Sequence, residues 1–414
     1  MKSWEEHLHF AGLDWASDHH DLSIINRQGQ TEASLRFSHD SDGWSQAREL
    51  LSRFGSNIPV AVETRHGIAI EQLQGCGCIV YPVHPLSAKQ YRQRKAPSGV
   101  KDDQLDAWSL ADALRVDGHA WKVLSPEDPL IIELRLLCRD EIALIEQRTA
   151  LVNQLRAALR EYYPAALEAF EDWTQESAWQ FIIAFPTPGE LLKAGRRRWE
   201  KFLHTHKIWR PQTAPVRLEI FARAGQFCGS TPVTAAKRLQ ALAVAKVLCT
   251  LEAQLRLYRE RIEELFKSHP DSHLFGSLPG AGAKLAPRLL GEIGDQRERF
   301  TDANALQCYA GTAPVTLRSG QIQRQRFRHS ADPILRASVH LWADLSRKKC
   351  AWAETYYKAH RANGQSHACA LRCLGQRWLK ILWKMWQSRS PYNEALHTQN
   401  QVEHGSWILQ LKPS

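Results

Sequence analysis

Four acidic side chains, Asp14, Glu63, Asp103 and Asp106, have the types and spacing that could do chemistry. Asp14 stands in the apolar run His9-Phe10-Ala11-Gly12-Leu13-Asp14-Trp15, and Glu63 ends Ile58-Pro59-Val60-Ala61-Val62-Glu63. Such runs read as short buried strands, which puts both acids on or at the ends of strands. Asp103 and Asp106 fall at i and i+3 in Lys101-Asp102-Asp103-Gln104-Leu105-Asp106-Ala107. On a helix these positions share a face and can point at one spot. Carboxylates that converge repel one another unless a hard cation lies between them, and Mg²⁺ takes oxygen ligands while keeping waters and substrate phosphates. The four acids therefore imply a metal and a phosphate together.

A lone aspartate in a strand is more often hydrogen-bonded or turn-proximal than a ligand, so the surrounding elements matter. The pattern predicts strands over 8–15, 21–27 and 32–38, a helix over 42–54, a strand over 58–63, a helix over 67–74, a strand over 78–83, and helices to about 117. Three opening strands with short polar turns, followed by alternating helix and strand, is the ribonuclease H-like order. In that fold an acid of the first strand, an acid on the fourth and carboxylates of a late helix meet at one edge of the sheet. The expected fold class is α/β for this part and mostly helical beyond it.

The chain has 414 residues, enough for two or three domains each with its own core. No run approaches the roughly 18 apolar residues of a membrane span, and the charged start is no secretory signal. A formal charge of +10 and a pI near 9.2 favour a polyanionic partner. Between Arg318 and Lys349 the basic residues Arg318, Arg324, Arg326, Arg328, Arg336, Arg347, Lys348 and Lys349 face only Asp332 and Asp344. A second cluster holds Lys193, Arg196, Arg197, Arg198 and Lys201. Either alone can be a solvated face; together they suit tracking of a phosphate backbone. The nine scattered cysteines read as reduced cytosolic thiols rather than a disulfide framework. Cys369 and Cys373 near His367 lack a second ligand pair at a finger-like distance and read as helix-face thiols.

The middle of the chain is helical. Leu248, Leu251, Leu255, Tyr258, Ile262 and Leu265 step by three and four, a coiled-coil seam. A segment near 133–162 carries Leu134, Leu137, Ile145, Val152, Leu155 and Leu159 on one side. The two helices can pair within one chain, or the seam can join subunits. Trp173, Trp179, Trp199 and Trp209 mark the connecting stretch as packed.

Past Pro270, Leu278-Pro279-Gly280-Ala281-Gly282-Ala283-Lys284 leads into Arg288-Leu289-Leu290-Gly291-Glu292-Ile293-Gly294-Asp295. This reads as a helix-hairpin-helix, in which Gly280 and Gly282 let the backbone approach a DNA phosphate and Lys284 stands in the new helix; a plain helix turn gives the same pattern. Gly311-Thr312-Ala313-Pro314-Val315-Thr316-Leu317-Arg318-Ser319-Gly320 follows. Ser319 is by position a turn serine. Arg318, Arg324, Arg326 and Arg328 would nonetheless stabilise a phosphate attacked by its hydroxyl, with activation coming from the metal site or a nearby cation.

These motifs resemble the transposases of the insertion-sequence family numbered one hundred and ten, the DEDD recombinases guided by an RNA encoded in their own element. The resemblance covers nearly the whole chain. It implies a RuvC-like nuclease domain over 1–125, a coiled-coil region over 126–270 and a C-terminal transposase domain over 271–414. It further implies that Asp14, Glu63, Asp103 and Asp106 are the Mg²⁺-binding tetrad and Ser319 the nucleophile. The partners implied are double-stranded DNA at element ends and target, a guide RNA, and further copies of the chain in a dimer or tetramer. No membrane is involved, and the location implied is the bacterial cytoplasm at the nucleoid. One departure stands: Asp102 occupies a place where the family usually has a hydroxyl residue. Asp102 and Asp106 also share a helix face, so either Asp102 or Asp103 can be the third ligand, Asp103 being the better match to the motif. Two other functions fit the residues: a water-using RuvC-like junction resolvase, indifferent to Ser319, and an inactive nucleic-acid-binding protein that keeps the fold.

Overall fold

Short runs buried on both sides in His9–Trp15 and His19–Asn26, and alternating apolar side chains in Thr31–Ser38, produce three strands, β1 to β3, joined by tight turns. The structure is a computed structural model that describes residues 4–64, 67–95, 102–320 and 322–405. Lys101 of the acidic motif and the end of the expected C-terminal domain, 406–414, lie outside the described residues. After β3 come helix α1 (Ser41–Arg53), strand β4 (Pro59–Val62), helix α2 (Ile68–Gly75), strand β5 (Ile79–Pro82), and helices α3 (Pro85–Lys95) and α4 (Asp103–Asp117). Each predicted strand and helix of this stretch is present, with ends moved by no more than a few residues. The five strands form one mixed sheet in the order β3-β2-β1-β4-β5, with β1, β4 and β5 parallel and β2 and β3 antiparallel to their neighbours.

Both sheet faces are covered. Leu13, Leu22, Ile24, Val60 and Val62 pack with Trp44 and Leu51 of α1 and Leu73 of α2. Phe10, Ile25 and Ala61 pack on the other face with Leu110, Ala111 and Leu114 of α4. Side chains alternate between faces, so Gly12 and Asp14 point the same way as Phe10, toward α4. Gly12 is needed there: a Cβ would come within 2.1 Å of the Ala107 carbonyl oxygen and 2.5 Å of the Ala111 nitrogen. Its absence lets α4 lie directly on β1. Met1–Pro126 is one compact unit and Glu127–Ser414 a second.

The second unit is mostly helical. α5 (Pro129–Tyr162) is followed by four shorter helices, α6 to α9 (Pro164–Ala169, Glu176–Ala184, Pro188–Thr205 and Ala214–Ala222), and then by α10 (Thr231–Ser268). The two long helices run antiparallel against each other, with ion pairs from Arg261 to Glu133 (2.8 Å), Arg259 to Glu141 (3.2 Å) and Arg148 to Glu252 (2.7 Å). Leu248, Leu255, Ile262 and Leu265 of the seam are buried, whereas Leu251 and Tyr258 are half-buried. The seam thus has its partner within the chain, the first of the two alternatives its spacing left open. At one end of the pair, Trp173, Trp179 and Trp199 are buried in a core built from α6 to α9.

At the other end lie α11 (Ser272–Gly276), α12 (Gly282–Ile293), α13 (Ala303–Tyr309), strands β6 (Val315–Ser319) and β7 (Ile322–Arg326), and helices α14 to α17 (Pro333–Ser346, Ala351–Ala362, His367–Ser388 and Glu394–Glu403). Their core includes Trp342, Trp378 and Trp386 and takes in Leu134 and Ile262 of the long pair. Cys369 and Cys373 are free thiols one turn apart on α16, and burial pushes the Cys373 thiol up to about 11. Among the described residues no helix is long and apolar enough to cross a membrane.

Candidate functional site

Strand register assembles a row of charged side chains. Across the antiparallel β1–β2 pair Asp14 faces Asp21, and across β2–β3 Asp21 faces Arg36. On the other side Leu13 pairs with Val62, so Glu63, just past the end of β4, falls beside Asp14. Directly opposed residues share a sheet face. Above this row sits the first turn of α4, carrying Asp103 and Asp106 and held close by the gap at Gly12.

The electrostatics show the convergence. The Asp14 carboxyl is pushed up to about 7, first by burial and then by the charges of Asp106, Glu63, Asp103 and Asp21, all acting in the same direction. All four acids singled out from the sequence are thus neighbours in space. Asp102 is placed differently: it is the N-cap of α4, and its carboxylate accepts from the Gln104 amide at 3.2 Å. Asp103 is the acid turned to the row.

Two arginines share the acids. Arg36 donates from Nη2 to Oδ2 of Asp21 and to Oδ2 of Asp103, both at 2.8 Å, and its Nε lies 3.1 Å from each Asp21 oxygen. Arg92 of α3 donates to both oxygens of buried Asp106 at 2.7 and 3.0 Å. His19 Nε2 lies 3.6 Å from Asp103, and ligand atoms of His19, Asp21 and Asp103 fall within 4.8 Å of one another. Five carboxylates against two guanidiniums leave excess negative charge, and the donors are hard oxygens of the kind Mg²⁺ and Mn²⁺ take. The acidic cluster fits a divalent cation.

Sequence reasoning missed Asp21, His19, Arg36 and Arg92. Asp21 had a signal: it is as far after the Ser17–Asp18 turn as Asp14 is before it, and a tight antiparallel turn sets equidistant residues opposite each other. Arg36 and Arg92 depend on contacts that spacing does not encode.

In the second unit Ser319 ends β6 and pairs with Ile322 across a turn at Gly320, whose φ is 56°. Apart from half-buried Val315, the residues of both strands are exposed. Register divides the arginines. Leu317 faces Arg324 and Val315 faces Arg326, so Arg324 and Arg326 share the face of Ser319. Arg318, opposite Gln323, points from the other face. Adjacent strand residues diverge, so Arg318 and Ser319 leave the hairpin on opposite faces. Arg328 is half-buried and donates to the carbonyls of Ala313 (3.1 Å) and Pro314 (3.5 Å), at the base of the hairpin.

At the glycine-rich turn before α12, Gly280 has φ 80°, and a Cβ on it would approach the Ser346 nitrogen at 2.6 Å. Its close approach is to the end of α14, and Trp342 Nε1 donates to the neighbouring Pro279 carbonyl at 3.0 Å. Gly282 and Lys284 are exposed in the first turn of α12. Glu292 of the following motif is 1% exposed and held by two 2.7 Å hydrogen bonds from Arg139, which also reaches Asp332 at 3.2 Å. It ties α5, α12 and the start of α14 together.

Comparison with known proteins places this geometry. A transposase family profile for the DEDD enzymes of IS110 matches residues 11–164, the stretch that holds all four acids. A second, described as the transposase IS116/IS110/IS902 family, matches residues 272–358 and includes the hairpin. The Streptomyces coelicolor mini-circle transposase for IS117 is 34% identical over 94% of this chain and 97% of its own length. The chain belongs to the IS110 family of transposases. It is a DNA transposase, and the DEDD match and the acidic cluster agree on use of a divalent metal. More distant relatives are the uncharacterized 43.6 kDa protein of insertion element IS110 from S. coelicolor, 27% identical over 84% of this chain and 86% of its own length, and the uncharacterized 42 kDa protein of insertion element IS900 from Mycobacterium paratuberculosis, 26% identical over 94% of this chain and 98% of its own length.

Proposed function

We propose that this transposase cuts and rejoins DNA at the ends of its insertion sequence through a 5′-phosphoserine on Ser319, directed by an RNA encoded in the element. The observation that carries the metal half is the crowding of Glu63, Asp103 and Asp106 around Asp14. The sheet order, with the first acid on central β1 and two more on a helix packed over it, supports a ribonuclease H-like assignment. Asp14, Glu63, Asp103 and Asp106 would hold Mg²⁺, which when bound supplies positive charge to the scissile phosphate and the departing 3′ oxygen.

This chain's residues do the rest. Ser319 Oγ forms a bond to phosphorus as the P–O3′ bond breaks; the serine proton passes to water and the 3′ oxygen gains one. Arg324, on the same face as Ser319, faces the phosphate charge, and exposed Arg326, Lys284 and Arg318 hold backbone phosphates around it. The exposed first turn of α12, with Gly282 at its start, serves the same backbone as a helix-hairpin-helix element. The ester keeps the bond energy, so a 3′-OH from another duplex reseals the strand and releases the serine without ATP. The enzyme acts as a dimer or tetramer at the nucleoid, since strand exchange needs more than one cut.

The water-using alternative, a RuvC-like junction nuclease, draws on one observation: the five carboxylates all belong to the Met1–Pro126 unit and the serine to the other. The RNA and metal requirements are tested with labelled element-end duplex, purified protein and RNA transcribed from the element flank. Cutting is expected only when both RNA and Mg²⁺ are present; equal cutting without the RNA refutes guidance, and equal cutting in EDTA refutes the metal.

A further inference from the structure

Two paired strands alone are marginal in water, and those of the Ser319 hairpin are almost wholly exposed. What fixes the direction of the hairpin must therefore lie at its base. β7 continues into Phe327, a partly exposed ring that two guanidiniums approach: that of Arg336 on α14, 4.8 Å from the ring centre, and that of Arg372 on α16, 4.6 Å away. A cation over an aromatic face is attracted by the ring quadrupole. Arg336 also donates from Nη2 to the carbonyls of Arg328 (3.0 Å) and His329 (3.1 Å), the two residues after Phe327. The entering strand meets the same group: Gly311 has φ 67°, and a Cβ there would lie 2.6 Å from Arg336 Nε. Arg328 crosses back to the Ala313 carbonyl and closes the base. The helices that carry the clamp are themselves fixed, for Trp342 of α14 and Trp378 of α16 are fully buried with ring centres 5.0 Å apart.

Resting on the reading of Ser319 as nucleophile, we infer that Phe327, held by the guanidiniums of Arg336 and Arg372, is a positioning residue that aims the β6–β7 hairpin and with it Ser319. The cations of this segment then divide by task. Arg328, Arg336 and Arg372 hold the base, whereas Arg318, Arg324 and Arg326 stay exposed for phosphate.

The test compares wild type with Phe327→Ala, Arg372→Met and Phe327→Trp in the full chain. Native-state trypsin cleavage after Arg318, Arg324 and Arg326, mapped by mass spectrometry, reads the hairpin without any appeal to catalysis. Loss of the clamp is expected to speed it by roughly five- to thirtyfold. At saturating labelled element-end duplex, with the flank RNA and Mg²⁺, formation of the covalent protein–DNA adduct is expected to slow by a similar factor. DNA affinity should stay unchanged, and Phe327→Trp should restore both rates. Unchanged trypsin cleavage in both Phe327→Ala and Arg372→Met overturns the clamp. Faster cleavage with an undiminished adduct rate, or no rescue by tryptophan, overturns its role in aiming Ser319. A wild-type protein that cuts DNA without any adduct refutes the serine reading instead, and the trypsin comparison still decides the clamp.

Discussion

Asp14 and Asp21 stand directly opposite each other across the β1–β2 pair, on the sheet face that α4 covers. Asp21 is 3% exposed and takes both nitrogens of the Arg36 fork, while the same guanidinium reaches Asp103. Asp21 therefore joins β2 to the third acid through one arginine of β3.

If that brace orients the metal ligands, Asp21→Asn keeps the shape, weakens the Arg36 fork and leaves Arg36 and the Asp103 it holds without a firm anchor on β2. Loss of such an outer partner typically costs 10- to 100-fold in metal affinity. Calorimetric titration with Mn²⁺ should show a loss of about that size. An affinity equal to wild type would make Asp21 a bystander.

Gly12→Ala should damage the same site by packing alone. Its new methyl meets the Ala107 carbonyl and the Ala111 nitrogen, backbone atoms that cannot yield without moving α4. Overpacking of this kind costs about 1–3 kcal/mol. The urea midpoint of the variant should fall accordingly, and an unchanged midpoint would show that α4 is not seated on β1 as described.

Acid should weaken the first unit through His20. Burial, then the charges of His39 and His19, push this imidazole down from 6.5 to about 4. Between those values the unfolded chain binds a proton that the folded chain refuses, so stability rises with pH. The contribution is complete above 6.5 and is lost as pH falls toward 4, at a slope of about 1 kcal/mol per pH unit. Urea midpoints measured from pH 7.5 to 4.5 should decline over that window in wild type and decline less in His20→Gln. Parallel curves would contradict the assignment.

The intrachain seam gives a contrast within one helix. Leu255 is fully buried between α5 and α10, whereas Leu257 is 57% exposed. Leu255→Lys places an unpaired charge in the core and should cost several kcal/mol; Leu257→Lys should change stability by less than about 0.5 kcal/mol. Denaturant unfolding measures both. A Leu255→Lys protein that keeps its stability and changes only its mass in solution would return the seam to the subunit interface.

Much of the first unit was legible because its signals are local. Short buried runs mark β1 and β4, and the i, i+3 spacing puts Asp103 and Asp106 on one side of α4. Relationships between elements were less legible. The seam leucines were evident, but spacing cannot say which helix covers them. Asp21 needed the register of a hairpin, and Arg36 needed that register and the placement of α4 together. Arg318 shows the converse, since closeness in sequence to Ser319 does not reveal that strand alternation starts the two side chains on opposite faces.

The central claim is that Ser319 becomes joined to DNA under the control of the Asp14 cluster. Wild type, Ser319→Ala and Asp14→Asn would each be incubated with labelled element-end duplex, flank RNA and Mg²⁺, then denatured and resolved by mass. Labelled DNA covalently attached to wild type, absent from both variants although both still bind DNA, is the predicted result. Free cleaved DNA from wild type and Ser319→Ala alike, with no attachment in either, would contradict it and make water the nucleophile.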